Sequence, residues 1–269
     1  MQVSGAKVLI TGGSRGIGAA LAREFAAQGA DVCVVARSAE ALGQIAEEIG
    51  GVAITADLLD TAQMDGLAGR VSAEFGDVDI LVNNAGLDAP GAFLSVDPAD
   101  LRDVVRVNLE GSIMLTRAFL PGMVERGRGH LVFMSSLAGT AGFPSLATYC
   151  STKAGLNNFA AAMRLELNAT DISTTLVTPG PVDTDMWDGL EDIEYNQAQL
   201  KRMRLLRTLP KTTPVKIARR TVAAVEADQR HVRHPRRLSL SFWLAESPRR
   251  LNELLLSGIK FDVPTTPVE

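Results

Sequence analysis

Short apolar runs alternate with helix-length amphipathic stretches over most of the chain, and this alternation sets the expected architecture. Residues 8–10 form a strand-like run, followed by a glycine-rich turn and a helical pattern at 17–28 that Gly29 closes. Residues 32–36 read as a second strand, 39–49 as a helix stopped by Gly50-Gly51, and 52–55 as a third strand. The alternation continues with a helix at 67–75, a strand at 80–82, a long helix at 101–123, a strand at 130–135, an Ala- and Leu-rich helix at 149–168 and a strand at 172–177. Strands separated by helices of this length predict a parallel sheet covered on both faces. No linker, repeat or low-complexity tract interrupts the pattern. The expected fold is therefore α/β: a single doubly wound Rossmann domain, its sheet mostly parallel, with helices on both faces.

The pattern loosens after Pro179. Residues 181–207 read as polar and irregular with a weakly helical stretch, and 214–227 as a helix. Ser247-Pro248, residues 249–256 and Gly258 then supply an N-cap, a first-turn proline and a terminating glycine. The expectation is one domain over 1–269, with its core at about 5–185, a loop at about 182–207 and a helical extension at about 214–269.

Composition narrows the class. Of 269 residues, 46% are hydrophobic and 22% charged, which suits a globular chain with a sizeable core. Cys33 and Cys150 stand too far apart for a metal-type motif, and two cysteines make no disulfide scaffold. Residues 1–5 pass straight into the first strand, leaving no room for a signal peptide, and no window reaches the roughly 18 apolar residues of a spanning helix. A cytoplasmic location is expected. The three histidines, His130, His231 and His234, are too few and scattered for a metal site, so no metal is expected, and no nucleic-acid partner. The net charge of −4 hides an imbalance: residues 201–250 hold 14 Lys and Arg against three Asp and Glu. Such a segment either meets an anionic partner or forms a solvated helical surface.

Candidate chemistry begins after the first strand, at Thr11-Gly12-Gly13-Ser14-Arg15-Gly16-Ile17-Gly18. Glycines there permit a tight turn and close approach of a pyrophosphate, and the following helix offers free N–H groups and its positive dipole end. Further along, Tyr149 and Lys153 stand at i and i+4, on one face of a helix. A free tyrosine has a pKa of about 10, and bringing it to about 7 takes roughly 4 kcal/mol. One positive charge at about 4 Å, with an effective dielectric near 20, supplies about that much.

The T-G-x-x-x-G-x-G spacing resembles the short-chain dehydrogenase/reductase family, and the resemblance accumulates along roughly residues 5–185. Asp57-Leu58 resembles the family's acidic residue near adenine. Asn83-Asn84-Ala85-Gly86 matches its turn after the fourth strand. Asn108, Ser136, Tyr149-Cys150-Ser151-Thr152-Lys153 and Pro179-Gly180 follow in family order. The resemblance implies hydride transfer between a nicotinamide cofactor and a carbonyl/alcohol pair. Its catalytic residues would be Asn108, Ser136, Tyr149 and Lys153. Tyr149 exchanges the proton, Lys153 lowers its pKa and holds the ribose, Ser136 bonds the carbonyl oxygen, and Asn108 holds a water. The family's thirteen-residue spacing from serine to tyrosine selects Ser136 over Ser135, which is expected to be buried structure. Cofactor contacts would come from Gly12, Ser14, Arg15, Gly16, Ile17, Gly18, Arg37, Asp57, Leu58, Asn84, Ala85, Gly86, Tyr149, Lys153, Pro179, Gly180, Val182 and Thr184, with Asn83 shaping the pocket.

Cofactor choice turns on the end of the second strand. An acidic residue there binds a ribose 2′-OH, whereas an arginine nearby favours a 2′-phosphate. Here the strand ends Val35-Ala36-Arg37, with Asp31 at its far end, and Arg15 adds a second positive charge. NADP(H) is the expected cofactor. The substrate is expected to be a small or medium apolar carbonyl compound or alcohol under a lid carrying Met186, Trp187, Leu190 and Met203. Alternatives are a 3-oxoacyl-thioester reductase, whose basic C-terminal third would meet an acidic carrier, and a non-catalytic NADP(H)-binding regulator. The intact Asn-Ser-Tyr-Lys set argues against the regulator.

The tail lacks the V-D-G-G strand with which many members of the family build a tetramer. Phe242, Trp243, Leu244 and residues 254–256, rimmed by Arg249-Arg250, would need cover. A homo-oligomer is expected, with peripheral membrane contact as the weaker reading.

Overall fold

The computed structural model describes residues 1–191, 193–205 and 210–235, together with Ser247. Seven parallel strands form one sheet in the order β3-β2-β1-β4-β5-β6-β7. They are β1 (Lys7–Thr11), β2 (Asp31–Ala36), β3 (Val52–Thr55), β4 (Ile80–Asn83), β5 (Gly129–Met134), β6 (Ile172–Thr178) and β7 (His231–Arg233). The helices among the described residues are α1 (Gly16–Ala27), α2 (Ala39–Ile49), α3 (Thr61–Glu74), α4 (Pro98–Val105), α5 (Gly111–Arg126), α6 (Ala147–Glu166), α7 (Asp185–Glu191), α8 (Glu194–Leu205) and α9 (Pro214–Glu226). Strand order reverses between β1 and β4, the crevice at which doubly wound sheets bind their ligands.

Period-two alternation along the strands divides the core. Val8, Ile10, Val34 and Val82 face a layer built on Leu21, Phe25, Leu42 and Ile217, from α1, α2 and α9. Leu9, Val35, Leu81 and Phe133 face the opposite layer, built on Leu67, Leu115, Leu156 and Ala160, from α3, α5 and α6. Burial on both faces is why these strands read in sequence as continuous apolar runs.

Three expectations are corrected. The long helix expected at 101–123 is present and longer, running unbroken from Pro98 to Arg126, but it carries a π-helical stretch at Arg106–Glu110 that separates α4 from α5. Residues 182–207 are more ordered than the irregular, weakly helical loop expected: they carry α7 and the whole of α8. The helical extension from 214 is interrupted, because after α9 the chain returns to the sheet and β7 pairs Leu176↔His231 through Thr178↔Arg233. The tail residues Phe242, Trp243, Leu244 and 249–258 lie outside the described residues. Among the described residues, no helix is long and apolar enough to cross a membrane, and no group of three His, Cys, Asp or Glu could hold a metal ion.

Candidate functional site

The C-terminal ends of β1, β4, β5 and β6 open into one cleft of about 1100 Å³. Its floor is a stapled pair of turns. Thr11 Oγ1 accepts from the backbone N–H groups of Asn84 and Ala85, at 3.1 Å each, and Asn84 Nδ2 donates to Thr11 O at 2.8 Å and Gly12 O at 3.2 Å. These bonds lock the turn after β4 onto the glycine loop. Helix α1 starts at Arg15 with no side-chain cap, so its first-turn N–H groups and dipole are left for an anion. Gly18 must be glycine: a Cβ there would lie 2.0 Å from Gly12 O. An uncapped helix end beside a turn without side chains fits the pyrophosphate of a dinucleotide.

Every residue expected to contact the cofactor lines this cleft, from Gly12 and Ser14 to Val182 and Thr184. Arg37 is exposed at the end of β2. Arg15 instead reaches across the cleft mouth, Nη1 lying 3.0 Å from Asp185 Oδ2 at the start of α7, with both side chains well exposed. Asp57 lines the cleft while its Oδ1 accepts from Leu59 N–H.

Ser136, Tyr149 and Lys153 converge on the same cleft, but Asn108 stands behind its wall, fully buried. Ser136 follows β5 and caps the turn at Leu137–Gly139, its Oγ accepting from Ala138 N–H at 3.1 Å. Ser135 is buried, and its Oγ donates to Lys153 O. Asn108 lies in the π-helical stretch and clamps Leu87 from both sides: Leu87 N–H donates to Oδ1 at 2.7 Å and Nδ2 donates to Leu87 O at 2.8 Å. Nδ2 also reaches Thr152 Oγ1, on the helix that bears Tyr149.

The electrostatics depart from the spacing argument. Burial pushes the Tyr149 phenol up to about 12, opposed chiefly by a hydrogen bond with Ser136 and reinforced by the charge of Asp88. Lys153 Nζ sits 5.6 Å from the Tyr149 ring centroid and donates to Met134 O at 2.9 Å. Burial lowers its own pKa to about 8. The expected pull of the lysine on the phenol therefore gives way to desolvation of both groups.

The substrate end of the cleft is walled by Leu87, Phe143 and Leu146, and by the expected lid residues Met186, Trp187 and Leu190; the side chain of Met203 lies outside the described set. A clamp holds α7 down: Lys211 Nζ lies 3.1 Å from Asp183 Oδ1, 3.1 Å from Asp188 Oδ1 and 3.9 Å from Glu191 Oε1. The sequence reading missed Asp88, Phe143, Leu146 and this clamp. Asp88 stands two residues beyond Gly86 of a recognised turn, which was the one signal available.

Comparison with known proteins agrees with this geometry. The family model for short chain dehydrogenases matches residues 6–194. A ketoacyl reductase of Nostoc, HetN, is 38% identical over 67% of this chain; the chain spans 64% of that relative's length, a little under two thirds. The 3-oxoacyl-[acyl-carrier-protein] reductase FabG of Escherichia coli is 34% identical over 71% of this chain and 80% of its own. Among solved structures, a variant of actinorhodin polyketide ketoreductase with NADPH is 30% identical with a TM-score of 0.74, covering 83% of this chain and 90% of that one. A short chain dehydrogenase/reductase from Burkholderia phymatum in complex with NAD, 23% identical, has the same fold, with a TM-score of 0.78 over 98% of this chain and 99% of its own.

Proposed function

The chain belongs to the short-chain dehydrogenase family, and from that premise we propose that it is an NADP(H)-dependent reductase of a largely apolar carbonyl compound. The observation that carries this reading is the convergence of Ser136, Tyr149 and Lys153 on the cleft whose other half is the glycine loop. The cofactor, when bound, supplies or accepts the hydride. Ser136 Oγ holds the carbonyl oxygen by a hydrogen bond, Tyr149 donates a proton to that oxygen, and the Lys153 ammonium offsets the charge left on the phenol. Asn108 braces the turn after β4 and the Tyr149 helix against each other. Ala36 and Arg37 at the end of β2 favour a 2′-phosphate over a bare ribose, and Arg15 can turn from Asp185 toward the same anion.

The ketoacyl reductases among the relatives favour a second reading, in which the carbonyl belongs to a 3-oxoacyl thioester. One screen decides between them: NADPH oxidation followed at its absorbance band, with simple ketones and 3-oxoacyl thioesters as substrates. Turnover that disappears in Tyr149→Phe, while NADPH still binds, supports the proposal, and turnover retained in that variant sinks the proton relay. NADPH should bind at least about tenfold more tightly than NADH, roughly 1.4 kcal/mol. Arg37→Ala should erase most of that gap; equal affinity in the unaltered protein overturns the cofactor assignment.

A further inference from the structure

The substrate end of the cleft has a largely apolar wall. Leu87, Phe143, Leu146, Trp187 and Leu190 present carbon; of the carboxylates that share this end, Asp183 is paired with Lys211 and Asp185 with Arg15, which leaves Asp88 as the one without an ion pair among the described residues. No ion pair or side-chain hydrogen bond to its carboxylate is found among the described residues, and its own backbone N–H only partly offsets the burial of the charge. Asp88 is half-buried, so its carboxylate has lost part of its solvation, and a hydrogen-bond donor in the cleft would return it. Arg15, the cation whose charge acts on it, is already turned to Asp185.

The carboxylate is also held in place. Asn108 takes both the N–H and the C=O of Leu87, so the backbone immediately before Asp88 is fixed from inside the fold. The preceding residue, Gly86, runs beside the catalytic lysine: a Cβ there would lie 3.6 Å from Lys153 Nζ. The carboxylate is close enough that its charge acts on the Tyr149 phenol. An incompletely solvated acceptor on a braced turn, within electrostatic reach of the proton donor, suits a recognition group better than a solvated surface charge.

We propose that Asp88 forms a donor-binding subsite, selecting carbonyl substrates that carry a hydroxyl or protonated amine near the reacting carbon and excluding substrates that carry an anion there. The inference rests on the carbonyl-reductase reading and names its substrate class: an apolar body with one hydrogen-bond donor. Burial, which pushes the carboxyl pKa of Asp88 upward, is the same desolvation that a donor would relieve. A site built to bond one polar group rejects analogues lacking it, because its own polar atom is then stranded.

Acetophenones bearing methyl, hydroxymethyl, aminomethyl or carboxylate groups at the meta or para ring position test this with NADPH as reductant. In the unaltered protein, kcat/KM for the hydroxymethyl and aminomethyl ketones should exceed that of the methyl ketone at least tenfold at one ring position, with the carboxylate last. Asp88→Asn should keep part of the hydroxymethyl preference and lose the aminomethyl one. Asp88→Leu should lose both and favour methyl. Identical ratios in all three proteins overturn the proposal while leaving the reductase reading intact. If none of these ketones is reduced, the reductase reading is challenged separately. Asp88 is then judged by calorimetric titration of the NADP-loaded protein with benzylamine, benzyl alcohol and benzoate. Tighter binding of the two donors that vanishes in Asp88→Leu supports the subsite, and binding that ignores the substitution removes it.

Discussion

His130 lies near the start of β5, the strand whose other end delivers Ser136, and it is completely buried. Its Nε2 lies 2.8 Å from Thr175 Oγ1, and that hydroxyl donates to Gln229 O at 2.8 Å. The hydroxyl has spent its proton, so Nε2 carries the hydrogen and Nδ1 is the bare nitrogen, with no partner among the described residues. Acid would place a second proton on Nδ1, where no acceptor waits. Burial accordingly lowers the pKa from 6.5 to about 4. The sign follows from the two states. Between pH 6.5 and about 4 the unfolded chain binds a proton that the native chain refuses, so stability falls as pH falls through that window. The separation of the two values corresponds to about 3 kcal/mol once both states are protonated, at roughly 1.4 kcal/mol per pH unit. Urea unfolding followed by circular dichroism at pH 7.5, 6.5, 5.5 and 4.5 measures this directly, and His130→Gln removes the titrating group. Other groups titrate in both proteins, so the difference in slope is the quantity that matters. The unaltered protein should lose stability more steeply, even if His130→Gln starts lower because of altered packing. Parallel pH profiles would refute the reasoning, and with it the assignment of an unpartnered Nδ1.

Gly18→Ala should weaken NADPH binding at least about a hundredfold, roughly 2.7 kcal/mol, in a fluorescence titration, because the added Cβ would lie 2.0 Å from Gly12 O and 2.7 Å from Asn84 Nδ2; unchanged affinity would mean that this turn does not meet the cofactor. Lys211→Ala should raise KM for the ketone at least threefold through a loosened α7, yet barely move the melting temperature, since such exposed pairs are worth about 0–1 kcal/mol; an unchanged KM removes the clamp from the lid's account. The proposed homo-oligomer is tested by light scattering on the full chain and on a chain ending before Ser239: a monomeric full chain excludes it, and weaker assembly after truncation supports an interface in the tail.

The fold was legible because its strands are buried on both faces. Val8-Leu9-Ile10 and Ile80-Leu81-Val82 are apolar whichever way each side chain points, and runs of that kind between helical stretches signal a parallel sheet. β7 escaped because it has three residues and only Val232 is fully buried; His231 and Arg233 read as surface. The π-turn between α4 and α5 escaped for another reason. Arg106–Glu110 contains neither proline nor glycine, and the feature that depends on the π-turn, the Asn108 amide reaching Leu87, joins residues 21 apart. Local propensity carries no record of such a contact.

The site divides along the same line. The glycine loop, the turn after β4 and the Tyr149–Lys153 pair are local motifs, and local motifs survive in sequence. Their electrostatics do not, because spacing gives a distance along a helix but not the surroundings. Lys153 turned out to spend its ammonium on Met134 O inside the wall, and Tyr149 is raised by desolvation. This has a chemical consequence. A phenol held at about 12 is protonated throughout the neutral range, which is the form needed to give a proton to a developing alkoxide. Lys153, at about 8, still carries most of its charge near neutral pH and loses it as the solution becomes alkaline. Burial thus favours the protonated phenol, the form in which Tyr149 would serve the proposed carbonyl reduction.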